Sequence, residues 1–199
     1  MLEQRGVVIR GVPRAGAAPA DAPPLAAAGS QPVEALVAAM LQPSDDWIAE
    51  MLTKGLAAKV APPPATTAAG AAVVRAEAAR LGARVTLVDG SGLDPRDRGT
   101  AAGLVSVLRR LRTSPSFPPA LARPGRPGTL RDRLTSGRAR RACRGKTGTI
   151  PSGGVSALAG YCTGRNRHQY AFAVLVQGRD TAKARAAQDR VAKALAAAR

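Results

Sequence analysis

Aromatic side chains are nearly missing from this sequence: one Trp, two Tyr and two Phe stand among 199 residues. Alanine and small aliphatic residues must therefore build most of the core, which demands close packing of helices. No stretch of about 18 uninterrupted apolar residues occurs, so no membrane-spanning helix is expected. The opening Met1-Leu-Glu-Gln-Arg-Gly6 has neither an apolar run nor a cleavage-like pattern, so it is not a signal peptide, and as written the chain carries no export address. Histidine is limited to His168 and cysteine to Cys143 and Cys162. Three soft ligands at these spacings do not make a zinc site. His168 sits in the polar run Arg165-Asn-Arg-His-Gln169 and reads as a solvated turn residue. A Ser-His-Asp triad is thereby excluded, and so is a nucleophile elbow, since no Gly-x-Ser-x-Gly occurs.

Acidic residues are also scarce. The formal net charge is +17, and 25 of the 30 basic residues are arginine. Between Arg109 and Arg144 the single acid is Asp132. So basic a chain invites a nucleic-acid reading. Yet no aromatics alternate with these arginines, and no zinc-finger or RNP-type pattern accompanies them, so specific nucleic-acid binding is not expected. A surface facing envelope polyanions, or a coding bias toward Arg and Ala, explains the charge equally well.

What is present reads as helices followed by a β-meander and a closing helix, an α+β order rather than a βαβ repeat. Val7-Val8-Ile9 reads as a strand fragment, followed by a loop rich in Pro, Ala and Gly. Helices are expected over Pro32 to Met40, from a Ser44-Asp45-Asp46 cap onward with Trp47, Ile48, Met51, Leu52 and Leu56 as its apolar face, and over Thr66 to Gly82. Pro62-Pro63-Pro64 is a rigid break between the last two. Arg84 to Val88 reads as a short strand running into the turn Asp89-Gly-Ser-Gly-Leu93, whose Ser91 we read as structural. Thr100 caps a helix to about Leu111. Residues 113–128 hold five prolines and read as a loop. Gly128 to Leu134 suggests a short helix. Strands are expected over Ala142 to Ile150, Ser156 to Thr163 and Gln169 to Gln177, and Thr181 caps the final helix.

The run Gly145-Lys-Thr-Gly-Thr149 superficially resembles a phosphate-binding loop. That loop requires a glycine where Arg140 stands and a helix where a strand follows, so this reading fails. On a strand, the same residues supply a fixed positive charge, hydroxyl donors and a close backbone approach, which together suit a carboxylate-bearing ligand. Their context is specific. Lys146-Thr-Gly-Thr-Ile150, Pro151-Ser-Gly-Gly154, Val155-Ser-Ala-Leu-Ala-Gly-Tyr161 and Phe172-Ala-Val-Leu-Val176 resemble the penicillin-binding D-alanyl-D-alanine carboxypeptidase/endopeptidase family. Gly128-Thr-Leu-Arg-Asp-Arg133 and Asp89-Gly-Ser-Gly-Leu93 extend the resemblance over roughly residues 30–195.

The resemblance implies part of the penicillin-binding, β-lactamase/transpeptidase-like fold: an antiparallel sheet with packed helices and the Lys146 strand at the cleft. It implies removal of the terminal D-Ala from peptidoglycan stem peptides ending in D-Ala-D-Ala, binding of β-lactams, no cofactor or metal, and a place in the cell envelope. That fold uses Ser-x-x-Lys, Ser-x-Asn and Lys-Thr-Gly motifs. By resemblance Lys146, Thr147 and Gly148 form the third, and Thr149 lends its N–H to an oxyanion. Ser44-Asp45-Asp46 matches the second, with Ser44 relaying a proton; the plainer alternative for Ser44 is a helix cap. Asp46 departs from the expected asparagine, and an ionised aspartate both lacks an N–H donor and repels a carboxylate.

The first motif is absent: no serine in the sequence has lysine three positions later. Either the part bearing it lies outside this chain, with residues 1–31 a residue of an upstream or inserted region and 32–199 the C-terminal part of the domain, or the chain is a degenerate homologue. The abrupt start favours the former. The chain alone is expected to be catalytically dead. Its rivals are a non-catalytic binder of wall peptides or a partner protein, and a basic nucleic-acid-binding protein.

One expectation is independent of family. A hairpin turn centred between Ser152 and Gly153 sets Cys143 directly opposite Cys162, so a cross-strand disulfide is possible in an oxidising compartment.

Overall fold

The computed structural model describes residues 3–8, 10–12, 15–17, 19–60, 64–150, 153–178 and 180–199. The chain divides into two compact units, Met1–Ser30 and Gln31–Arg199. The first holds one 3-10 turn, Glu3–Arg5, and no strand among its described residues. Val7 and Val8 are exposed coil rather than a strand fragment, and Ile9 of that expectation lies outside the described residues.

The second unit begins with three helices, α1 (Val33–Leu41), α2 (Asp46–Val60) and α3 (Thr67–Arg80). Of the three starts only that of α3 has its expected cap; α1 follows Pro32, which makes no side-chain cap bond, rather than a cap at Ser30 or Gln31. Thr66 caps α3, its hydroxyl accepting from the Ala69 N–H at 3.2 Å. At α2 the cap is Asp45 and not Ser44: Asp45 Oδ1 accepts from the Ile48 N–H at 2.8 Å. The expected apolar face of α2 is also corrected. Trp47 is 71% exposed and Leu56 43% exposed, while Thr53 and Ala57 are buried. The reason is packing distance. Helices α2 and α3 approach so closely that a Cβ at Gly70 would collide with the Thr53 backbone. Only small residues, Thr53 and Ala57 against Gly70 and Ala71, fit such a seam. Of the proline break between the two helices, Pro62 and Pro63 lie outside the described residues, and Pro64 is a bend.

Glu50 ties this helical layer together. Its carboxylate accepts from the Thr67 hydroxyl and, at 2.8 Å, from the Gly90 N–H. These two bonds hold its pKa below the ordinary carboxylate range. The following turn is built on Asp89, which accepts from Ser91 Oγ at 2.7 Å and from the Gly92 N–H at 2.8 Å. Ser91 is thus engaged within its own turn. The expected strand at Arg84 to Val88 reduces to one bridge, Thr86 to Arg98. Helix α4 (Ala101–Leu111) starts at Thr100, whose hydroxyl accepts from the Gly103 N–H at 3.0 Å.

The proline-rich stretch contains a short helix, α5 (Phe117–Ala120), which a reading as pure loop missed; proline fits the first turn of a helix because its N–H is not needed there. Gly128 to Leu134 is turns rather than a helix. Gly128 at φ 125° and Leu134 at φ 55° both leave the helical region. A further short helix, α6 (Ala139–Ala142), takes up Ala142 and leads into the sheet.

The sheet has the order β1-β2-β3, all antiparallel: β1 (Cys143–Ile150), β2 (Val155–Thr163) and β3 (Gln169–Gln177). Cys143 pairs with Cys162 in register, and the two are joined by a disulfide with Cα atoms 4.1 Å apart. Of the turn used to set that register, Pro151 and Ser152 lie outside the described residues. Side chains alternate across the sheet. Leu158, Cys162 and Phe172 face Ala192 and Ala196 of the closing helix α7 (Thr181–Ala197). Tyr161 faces the other way, into a cluster with Leu108 of α4 and Leu121. The sheet is therefore covered on both faces. Helix α7 is capped by Asp180, one residue before the expected Thr181, with Asp180 Oδ1 accepting from the Lys183 N–H at 2.9 Å.

Candidate active site

The outer edge of β1 borders a cleft because, among the described residues, no strand pairs with it beyond one point. At that point the Gly145 N–H donates to the Ala122 carbonyl at 2.9 Å. Backbone groups alternate along an antiparallel strand, so the N–H groups of Thr147 and Thr149 point the same way as that of Gly145, away from β2. Gly145 and Gly160 oppose each other. A Cβ on Gly160 would lie 2.6 Å from the Gly145 Cα, so the strand can sit where it does only with glycine there.

Ser44 lies in the turn between α1 and α2, with φ 66°. Left-handed backbone is costly for a serine and persists only where its surroundings enforce it. Two bonds do so here. The Asp45 N–H donates to the Met40 carbonyl at 2.9 Å, and the Gln42 carbonyl accepts from the Thr129 N–H at 2.9 Å. Gly128 permits the second contact, since a Cβ there would stand 2.8 Å from the Gln42 carbonyl oxygen. Because Asp45 takes over the cap, the Ser44 hydroxyl is released from helix duty and turns to the strand. Lys146 Nζ donates to Ser44 Oγ at 2.5 Å and to the Thr147 carbonyl at 2.6 Å.

Burial holds the Lys146 pKa below its ordinary value, and the negative charge of Asp46 partly opposes this. Asp46 opens helix α2. It is thus an electrostatic neighbour of the cleft lysine.

A cavity of about 650 Å³ lies along this edge, lined among others by Ser44, Thr129, Arg131, Thr147, Thr149 and Arg185. Of the residues expected from sequence, Ser44, Thr147 and Thr149 line this cavity, and Lys146 reaches it only through its bond to Ser44. Gly148 lies in the strand between the two threonines and is not itself part of the cavity wall. Asp46 is near Lys146 but does not line the cavity.

Two contributors were not anticipated. Arg185, from the first turns of α7, brings its guanidinium within 3.4 Å of Thr149 Oγ1. No local signal marks it, since only folding brings α7 beside β1. Thr129 presents a buried hydroxyl with no hydrogen-bond partner among the described residues. The Gly128-Thr-Leu run held the one available hint of it. The neighbouring Arg133 anchors this segment to α7 through Asp189 at 2.6 Å and Gln188 at 3.0 Å. The fully buried Gln188 in turn donates to Ser156 Oγ at 3.0 Å. The cleft thus has a fixed lysine, the hydroxyls of Ser44, Thr129, Thr147 and Thr149, outward N–H groups and the Arg185 guanidinium, a set suited to a carboxylate and to a developing oxyanion.

A family model described as D-Ala-D-Ala carboxypeptidase 3 (S13) matches residues 1–198. No curated protein matches the chain. Among solved structures it is similar to penicillin-binding protein 4 of Haemophilus influenzae in complex with a β-lactam, with TM-score 0.76 and 24% identity, covering 84% of this chain and 42% of that one. It is also similar to a predatory endopeptidase of Bdellovibrio bacteriovorus in complex with an immunity protein, with TM-score 0.60 and 20% identity, covering 83% of this chain and 42% of that one. A predatory peptidoglycan endopeptidase from the same organism gives TM-score 0.58 and 19% identity, with 82% and 42% covered. These likenesses establish a partial penicillin-binding, transpeptidase-like fold. The chain spans about two-fifths of the length of these relatives.

Proposed function

The chain belongs to the D-Ala-D-Ala carboxypeptidase 3 (S13) family, and from that premise we propose that it carries the carboxylate-binding and proton-relay side of a serine D-Ala-D-Ala carboxypeptidase site. The observation that carries this reading is the Lys146 Nζ bond to Ser44 Oγ at 2.5 Å, across the cleft. The substrate is a peptidoglycan stem peptide ending in D-Ala-D-Ala, and β-lactams compete for the same place.

In this reading the C-terminal carboxylate lies against β1. Lys146 supplies the positive charge, and the Thr147 and Thr149 hydroxyls donate hydrogen bonds to it. Gly148 keeps the strand surface open. The outward Thr149 N–H stabilises the oxyanion that forms when the D-Ala-D-Ala carbonyl is attacked. Ser44, held by Lys146, passes a proton to the leaving D-alanine nitrogen. Asp46 stands where an amide donor would serve better and lowers affinity for the anionic end.

Acylation needs a Ser-x-x-Lys pair, and none occurs in the 199 residues. The chain by itself therefore binds and does not cleave. The Cys143–Cys162 disulfide supports an oxidising, extracytoplasmic setting, in keeping with the family's place at the cell wall. No described helix is long and apolar enough to cross a membrane. The test is intact mass after incubation with penicillin, alongside NMR titration with a peptide ending in D-Ala-D-Ala. The expected result is no covalent adduct, with reversible peptide binding that penicillin displaces and Lys146→Ala removes. A stoichiometric adduct on one serine would assign a different nucleophile and overturn the reading.

A further inference from the structure

Away from the cleft, seven arginines gather around two adjoining cavities. The larger, of about 940 Å³, is walled by Arg138, Arg140, Arg141, Arg144 and Arg165. The smaller, of about 350 Å³, is walled by Arg123 and Arg126 and shares Arg140 and Arg141 with the first. No acidic residue lines either, and none of the seven has an ion pair among the described residues.

The array is held in place by the fold. Arg138 donates to the Gly164 carbonyl at 2.9 Å and Arg144 to the Pro118 carbonyl at 3.1 Å. Burial, and then the charge of Arg123, hold the Arg144 pKa below its ordinary value. Like charges fixed together without a counter-ion repel one another, and that repulsion is relieved when an anion enters.

We infer that these linked cavities form a binding groove for a base-free linear polyanion bearing repeated phosphate groups. Guanidinium groups match phosphate oxygens in paired hydrogen bonds, and successive phosphates along one chain can engage Arg123, Arg140 and Arg165 in turn. Single-stranded nucleic acid fits less well, because base stacking needs exposed rings. The one aromatic in the wall, Tyr161, is 1% exposed and its hydroxyl is bound to the Leu108 carbonyl. An anionic membrane fits less well too, because none of the exposed large apolar residues lines these cavities, so nothing there enters a bilayer.

The experiment measures binding of labelled inorganic polyphosphate to the 199-residue chain by fluorescence anisotropy at several salt concentrations. The variants are Arg140→Gln with Arg141→Gln, the single Arg165→Gln, and a charge-matched control, Lys59→Gln with Arg84→Gln, at exposed positions outside both cavities. Thermal melts verify that each variant folds. The first pair should weaken binding about tenfold and reduce the salt slope by roughly two, with a smaller loss for Arg165→Gln and none for the control. An equal loss in the control would reduce the effect to diffuse net charge and overturn the inference. Tighter binding to single-stranded DNA, to polyglutamate or to anionic vesicles than to polyphosphate would overturn it as well. The outcome is independent of the carboxypeptidase site, since none of the substituted residues lines that cleft.

Discussion

Lys146 Nζ and Ser44 Oγ meet at 2.5 Å although their residues stand 102 positions apart in the chain. The contact joins a turn of the helical layer to the edge strand of the sheet. Burial of that lysine holds its pKa below the ordinary value, and the charge of Asp46 opposes the shift.

Replacing Lys146 with Met should abolish binding of a D-Ala-D-Ala peptide while leaving stability unchanged or raised. The sign follows from linkage. The folded lysine has a lowered pKa, so the folded state binds fewer protons than the unfolded state, and stability gains from this group as pH rises from the lowered value toward the ordinary one. Below the lowered value the burial cost is fully present, and Met removes it. Denaturant midpoints of both proteins between pH 7 and about pH 10 should converge as pH rises. A large loss of stability in the Met variant would contradict this.

Asp46→Asn should strengthen binding of the same peptide by roughly fivefold, about 1 kcal/mol, since a repulsive charge near the ligand carboxylate is removed. Without Asp46 the Lys146 pKa should fall further, because that carboxylate supports the charged form. Titration calorimetry with wild type and variant at low salt measures the difference. Equal affinities would place Asp46 outside the reach of the ligand.

Tyr161 predicts alkaline destabilisation. Burial pushes its pKa up to about 12. A raised folded pKa means that its contribution is complete below the unfolded value near 10 and is lost as pH climbs toward the folded one. The loss should approach about 2–3 kcal/mol. Tyr161→Phe should cost about 1 kcal/mol at pH 7, because the Leu108 carbonyl loses its donor, and should flatten the alkaline loss. Urea melts from pH 8 to 11 provide the comparison.

Denatured, unreduced protein should show no free thiol from Cys143 and Cys162. Cys143→Ala with Cys162→Ala should lower stability by about 3 kcal/mol, the value for closing a loop of this size. The denaturant midpoint of wild type in reductant should match that of the double variant. An unchanged midpoint would show that the β1–β2 register holds without the bridge.

Gly160→Ala should destabilise by about 3 kcal/mol, because its Cβ lands 2.6 Å from the Gly145 Cα and forces β1 away. Since Gly145 precedes Lys146, peptide binding should weaken in the same variant even where it remains folded. Normal affinity would mean that β1 absorbs the methyl without moving the lysine.

Several elements were legible in the residues alone. The apolar run Tyr170-Ala-Phe-Ala-Val-Leu-Val176, rich in aromatic and β-branched residues, marks β3, and the threonines at 66 and 100 cap the helices they precede. Cys143 and Cys162 pair because a short hairpin leaves one register once its turn is set. These are local determinants, written in neighbouring side chains and short spacings. The Lys146-Thr147-Gly148 run was likewise legible as a candidate site, and the structure sets it on the edge strand beside Ser44.

Other features belong to the tertiary structure. Asp45 rather than Ser44 caps α2, because the bonds to Met40 and Thr129 rotate Ser44 into left-handed backbone and hand its hydroxyl to Lys146. Trp47 is exposed despite its hydrophobicity, because the close α2–α3 seam admits only small residues. Arg185 reaches Thr149 only once α7 lies across the sheet. Sequence by itself determined the three strands of the meander, the caps at Thr66 and Thr100 and the chemical identity of the cleft residues, since those depend on side chains close together in the chain. Which hydroxyl is free, which arginine joins it and which apolar side chain stays in solvent were decided by packing between distant segments, whose distances no local pattern encodes.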